Sequence, residues 1–175
     1  MENGLKETKL RLLSKYGLGC AAVKLDKEGF AKYSSFSIGS GPMDEGLLKT
    51  ALPYAYKEIV EKGKDCREYF FTSHNNKVLK TLIKKEFPGY SPFFCLARTG
   101  TVETVMDAET GDRIALSKLL GDNMSDTITK IGNVSFTSED GATAKEMVLL
   151  DAVPDARIGS IISVHRQIAC EIIKL

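Results

Sequence analysis

Two stretches of this 175-residue chain carry side chains that could do chemistry together. The first is Cys95 to Val102, C-L-A-R-T-G-T-V. The second is Ile161 to Ala169, I-I-S-V-H-R-Q-I-A, and it holds His165, one of two histidines in the chain. If the two segments come together, a thiolate and an imidazole face one small site. They make a nucleophile and base pair, although no third, orienting residue is visible in the sequence. A thiolate needs a polar or positive setting, which Arg98 or Arg166 could supply. The flanking Phe93, Phe94 and Leu96 suit a buried core thiol equally well. His165 likewise fits a hydrogen-bonded strand histidine.

Other chemistry-bearing residues are more scattered. Cys20, Cys66 and Cys170 form no C-x-x-C pair, so neither a zinc ribbon nor a thioredoxin motif is present. Free thiols of this kind are most often small buried hydrophobes. Gly39-Ser40-Gly41 stand between an expected strand and an expected helix, where glycines can cradle a phosphate. Asp44 and Glu45 would repel that phosphate, and with Pro42 they read better as an ordinary helix start. No Lys-Ser or Lys-Thr follows the glycines, so this is not a P-loop. His74 has no partner pattern and reads as a polar residue at a helix start.

The elements that must position these residues fall into two halves. Residues 4 to 16 read as an amphipathic helix ended by Gly17 and Gly19. Cys20 to Leu25 and Phe30 to Ile38 read as strands, with Lys27-Glu28-Gly29 as the hairpin turn between them. A helix is expected from Met43 to Lys62, kinked or divided at Pro53. Glu68 to Thr72 reads as a short strand, and Ser73 as the N-cap of a helix from His74 to Glu86. Pro88-Gly89-Tyr90-Ser91-Pro92 makes a joint. Residues 1–92 are therefore expected to be an α/β unit.

From Phe93 the pattern turns to short strands. These are expected at Phe93 to Met106 with a bulge at Gly100, at Ile131 to Thr137, at Ala142 to Leu150 and at Gly159 to Ile173. Ser138-Glu139-Asp140-Gly141 reads as a turn. Glu109 to Asp112 reads as another turn, Ile114 to Leu120 as a strand or one helical turn, and Asp122 to Lys130 as a polar loop. Such strands within residues 93–175 fit a small closed barrel, of which an OB-like barrel is one form. The fold class expected is α+β, an N-terminal α/β unit followed by a small β-barrel.

Residues 95–175 resemble the HypC/HupF family of hydrogenase-maturation chaperones. The family opens Met-Cys, a small apolar pair and x-P-G-x-V, against Cys95-Leu96-Ala97-Arg98-Thr99-Gly100-Thr101-Val102 here. It closes on a segment like L-P-D-x-K-V-G-D-Y-V-L-V-H-x-G-x-A. Here the corresponding run is Val153-Pro154-Asp155-Ala156-Arg157-Ile158-Gly159-Ser160, then Ile161 to Ala169. Thr99 stands where the family has proline, and Gln167 where it has glycine. The family's cysteine lies at the N-terminus, whereas Cys95 follows 94 residues. The resemblance implies an OB-like barrel that is no enzyme. It implies a transient iron ligated by Cys95 with His165 as candidate neighbour. It also implies a protein partner, a HypD-like scaffold or a hydrogenase large subunit, met through Arg98, Gly100, Arg166 and Gln167.

Composition narrows the alternatives. The chain is 43% apolar and 27% charged with a net charge of +1, an ordinary globular balance with no field for nucleic acid or an anionic membrane. No apolar run approaches the ~20 residues needed to span a bilayer. The N-terminus lacks a signal-peptide core, so a cytoplasmic location is expected. Two other readings stay open. One is an OB-like ligand or nucleic-acid module with no metal role, although this half has only Phe93, Phe94 and Phe136 as aromatics and its charges are balanced. The other is a cysteine-dependent enzyme using Cys95, or Cys170, with His165 as base.

Overall fold

The structure, a computed structural model, describes residues 2–71, 97–137 and 141–175. Its first part is helical throughout. The helices are α1 (Glu2–Tyr16), α2 (Leu18–Lys24), α3 (Lys27–Ser37), α4 (Glu45–Ala51), α5 (Pro53–Tyr56) and α6 (Cys66–Phe71). A π-helical turn, Lys57–Glu61, continues α5. After these come β1 (Arg98–Val102), β2 (Met106–Asp107), α7 (Thr110–Leu120) and a 3-10 turn at Asp122–Thr127. Then follow β3 (Lys130–Thr137), β4 (Thr143–Leu149), β5 (Ile161–His165) and β6 (Ile168–Lys174). The fold is α+β.

The strands expected at Cys20 to Leu25 and Phe30 to Ile38 are helices, for local reasons. Asp26 takes the N-cap position of α3 and accepts the Gly29 N–H at 2.7 Å, so Lys27-Glu28-Gly29 is a first helical turn and not a hairpin. Phe30, Tyr33 and Phe36 are buried at threefold spacing, a helical stripe that resembles alternation only over a short window. Small Ala21 and Ala22, with high helix propensity, carry α2. The strand expected at Glu68 to Thr72 is helix up to Phe71, with the Asp65 carboxylate accepting the Glu68 N–H at 3.0 Å. Pro53 does divide the helix expected from Met43 to Lys62, since it opens α5 at its first turn. The expected Ser73-capped helix and the joint at residues 88–92 lie outside the described residues.

In the second half, Glu109 and Asp112 form a capping box that starts α7, where a turn was expected. The long strand expected from Phe93 is shorter within the described residues, and Gly100 sits in regular register between the Thr99↔Ser163 and Thr101↔Ile161 pairs. The irregularities fall instead between Ile161 and Ile162 and between Ser163 and Val164. The last expected strand is two strands, β5 and β6, joined by Arg166 and Gln167 at φ of 53° and 61°. That turn carries no Asn or Gly, the residues that usually announce consecutive left-handed positions.

The six strands make one mixed sheet in the order β1-β5-β6-β4-β3-β2, and β1 pairs with β3 as well. All pairings are antiparallel except β4 with β6, which meet in parallel at Leu149↔Ile168. One face holds a small apolar cluster that includes Val102, Val134, Phe136, Val148, Ile162 and Val164. The other face packs on the helices. Ile131, Leu149, Ile168 and Cys170 there join Leu13, Tyr16, Leu18, Tyr33 and Ile59 in one larger cluster. This cluster draws residues from both sides of the boundary expected at residue 92.

Between α1 and α2 the helix stops for one residue, Gly17, and resumes. A Cβ at 17 would lie within 3 Å of the Leu52 Cγ and collide with both its methyl groups. Leu52 is only 6% exposed and has little room to move. Gly17→Ala should therefore cost about 1–3 kcal/mol through overpacking. Gly111→Ala, in the first turn of α7 with open space around it, should gain about 0.4–1 kcal/mol. Urea unfolding of the two variants measures both, and equal effects would refute this account of Gly17.

Candidate functional site

The break at Gly17 creates the site's main constraint. Carbonyls in the last turn of α1 lose the donors of a continuing turn and would be buried without partners. Side chains from other elements take them over. The Ser14 carbonyl accepts from Tyr33 Oη at 2.8 Å and Ser37 Oγ at 3.2 Å, both on α3. The Lys15 carbonyl faces Cys170 Sγ on β6 at 3.7 Å. The Tyr16 carbonyl lies 2.5 Å from Nδ1 of His165, at the end of β5.

That last contact fixes the histidine's chemistry. A carbonyl oxygen only accepts, so Nδ1 carries the hydrogen, and in the neutral ring Nε2 becomes the acceptor. This is the tautomer used by a metal-binding or proton-accepting imidazole whose far nitrogen is held by a backbone carbonyl. The ring is only 3% exposed and packs against Phe70, centroids 5.0 Å apart at 58°. Phe70 stacks in turn on Tyr16 at 5.0 Å and 14°. Its carbonyl accepts the Ala97 N–H at 2.9 Å. Ala97 thus reaches the Phe70 backbone while β1 pairs with β5, Arg98 lying opposite Val164.

A second polar group flanks the first. Tyr16 donates its phenol to Glu171 at 2.6 Å, and Ser163 lies 3.0 Å from the same oxygen. Burial first, and then the Glu171 hydrogen bond, pushes the Tyr16 phenol well above its ordinary range, so it stays protonated. Arg67 on α6 closes the group with a bidentate bridge to Glu171, at 2.6 and 2.9 Å. Sequence reading missed Tyr16, Glu171 and Arg67 because they come from three distant segments and match no motif.

Arg98 and Gln167, singled out in the sequence, do meet. Arg98 donates to Glu146 on β4 at 2.5 Å and to the Gln167 amide oxygen at 3.1 Å. Its guanidinium lies 4.0 Å above the Phe136 ring. Gln167 also donates to the Met147 carbonyl at 3.0 Å. Gly100 faces the inner cluster, where a Cβ would come 2.5 Å from Val134 Cγ1. Arg166 is buried to 1% exposure, with its guanidinium against α2 at Gly19.

The remaining candidates separate. Cys95 and His74 lie outside the described residues. Cys66 and Cys170 are buried, and desolvation raises both thiols far from a reactive thiolate. At Gly39-Ser40-Gly41 the Gly39 and Gly41 N–H groups already donate to the Ser34 and Ser35 carbonyls, at 3.4 and 2.9 Å. The start of α4 is filled by Asp44 itself, which accepts the Leu47 N–H at 3.0 Å. Its carboxyl is held low by Lys32 and by that N–H. Among the described residues no group of three or more His, Cys, Asp or Glu side chains could hold a metal ion.

No family model, curated protein or solved structure matches this chain.

Replacing His165 by Ala removes the donor to the Tyr16 carbonyl and leaves a cavity beside Phe70. A stability loss of about 2–4 kcal/mol is expected from the orphaned carbonyl and lost packing. Long-range 1H–15N spectra of histidine-labelled protein should show His165 protonated on Nδ1. An Nε2-protonated ring would break the assignment.

Proposed function

We propose that this chain is a metallocentre-assembly protein of the HypC/HupF kind, working in the cytoplasm through a protein partner. Iron is its cargo, taken by the Cys95 thiolate beside His165. The observation that carries the reading is the direct pairing of β1 with β5. It joins the strand within the cysteine motif to the strand that ends in the histidine. Ala97, two residues after Cys95, is thereby tied to the Phe70 carbonyl, and the His165 ring packs on Phe70.

The strand pairings also favour an OB-like barrel. They run β1-β3-β4-β6-β5 and return to β1, with β4 and β6 parallel. Strands in such a ring enclose an apolar centre, and the cluster around Val134 and Ile162 fits that place. In the described residues no helix is long and apolar enough to cross a membrane. Cys20, Cys66 and Cys170 are free thiols, which suits a reducing compartment.

One observation favours the cysteine-dependent enzyme as a second reading. The Tyr16 carbonyl at Nδ1 supplies the orienting third group that the sequence lacked. Cys170, buried and raised, is a poor nucleophile, so this reading too depends on Cys95.

Thiol labelling read by mass spectrometry tests the common element. Cys95 should label at least tenfold faster than Cys66 and Cys170 in the folded protein, with a thiolate transition that disappears in His165→Ala. The purified protein should then bind ferrous iron, and Cys95→Ser should abolish that binding. Labelling of Cys95 only on unfolding would sink both readings. Fast labelling with no iron bound would leave the enzyme.

A further inference from the structure

One seam of the sheet is only half closed. Strand β1 meets β3 at Thr101↔Ser135 and Val102↔Val134, and no further pair follows toward Arg98. On its other side β1 is paired with β5 along the whole run from Arg98 to Thr101. The ladder's parity shows which groups this leaves over. Val102 exchanges backbone bonds with Gly159 and Ser160 on the β5 side, so Gly100 and Arg98 also point there. Thr101 and Thr99 then direct their N–H and C=O toward β3. Glu103 confirms the alternation, since its N–H donates to the Asn133 carbonyl of β3 at 2.8 Å. By the same count Asn133, Ser135 and Thr137 direct their backbone groups toward β1.

The next rung would join Thr99 to Thr137, and it is missing. Among the described residues neither makes a backbone bond across the seam. Both are exposed. A cleft of about 360 Å³ opens at this position, lined by Arg98, Thr99, Phe136, Thr137, Thr143 and Ala144. Its volume falls in the range of small binding sites. The Thr99, Thr137 and Thr143 hydroxyls at its rim have no hydrogen bond to other described residues. Arg98 lies over the Phe136 ring and is bonded to Glu146 and Gln167.

We propose that this open seam binds an extended peptide segment from a partner protein, by addition of a strand. Each lip presents the N–H and C=O of one residue, Thr99 on β1 and Thr137 on β3, and the complement to such a pair is another extended backbone. The lining beyond the backbone is small, hydroxylated or apolar, which admits side chains without demanding a sequence. The guanidinium of Arg98 is already engaged by a carboxylate, so backbone bonds and not charge carry recognition. This inference stands apart from the iron reading and does not need Cys95. It gives the expected protein partner a chemistry and an address.

The test uses the full chain and octapeptides selected from a displayed random library, remade with acetylated and amidated ends. A selected peptide should shift the Thr99 and Thr137 amide resonances and raise their hydrogen-exchange protection at least tenfold. N-methylation of alternate peptide amides should abolish binding on one set and spare it on the other. Thr99→Pro and Thr137→Pro each remove a donor facing the seam and leave the ladders to β5 and β4 intact. Binding should weaken at least tenfold in one or both, with unfolding midpoints near the parent's. The proposal is overturned if no peptide is selected, if the shifts map elsewhere, or if binding ignores both prolines and N-methylation. Concentration-dependent self-association or oligonucleotide binding that protects the same amides in place of a peptide would overturn it as well.

Discussion

Everything near His165 depends on a helix that stops for one residue. Around Gly17, which keeps its own helical bonds to Leu13 and Ala21, the Ser14, Lys15 and Tyr16 carbonyls are left to find donors from outside the helix. Tyr33 and Ser37 come from α3, Cys170 from β6 and His165 from β5. One local interruption thus ties the helical layer to the sheet hairpin by hydrogen bonds as well as by apolar contact. The same interruption sets the histidine's tautomer. A continuous helix through residue 17 would have consumed these carbonyls internally and left the imidazole unoriented.

The hairpin that presents the histidine is itself unusual in its chemistry. Arg166 and Gln167 both adopt left-handed backbone conformations without the glycine or asparagine that makes them easy. Such conformations persist where the surroundings over-determine them. Here Gln167 is pinned through its side chain to Arg98 and Met147, and through its carbonyl to the Leu149 N–H at 2.9 Å. Arg166 is enclosed between the turn and α2, at a point where α2 carries Gly19. The tip of a hairpin, usually the most exposed part of a sheet, is here part of the interior.

How much of this was legible in the sequence follows from the range of the interactions. The strand at residues 130–137 could be read because Val134 and Phe136 alternate with the more open Asn133, Ser135 and Thr137, and residues 143–149 followed as its antiparallel partner. The helices α2, α3 and α6 were misread because they are short, and aromatic or small apolar runs of that length satisfy both periods. Their caps, Asp26 and Asp65, were the decisive local signals. The sequence posed the meeting of the two motif halves only as a condition, and the structure pairs β1 with β5 directly. The Tyr16–Glu171–Arg67 group and the carbonyl that orients His165 were invisible, since each joins residues about a hundred or more positions apart.

That separation bears on how the chain acquires its fold. Helix α1 packs on β6, and Tyr16 meets Ser163 and Glu171 across 147 and 155 positions. Contacts of this kind close very long loops and form late, which slows folding. Until β5 and β6 have been synthesised, Leu13, Tyr16 and Leu18 have no sheet to cover them, and the α1 carbonyls have no imidazole or thiol to cap them. A ribosome-bound chain therefore holds an unfinished, sticky helical layer until β5 and β6 have emerged. Its early helices await the β5–β6 hairpin, and the interval favours protection by general folding factors over folding piece by piece.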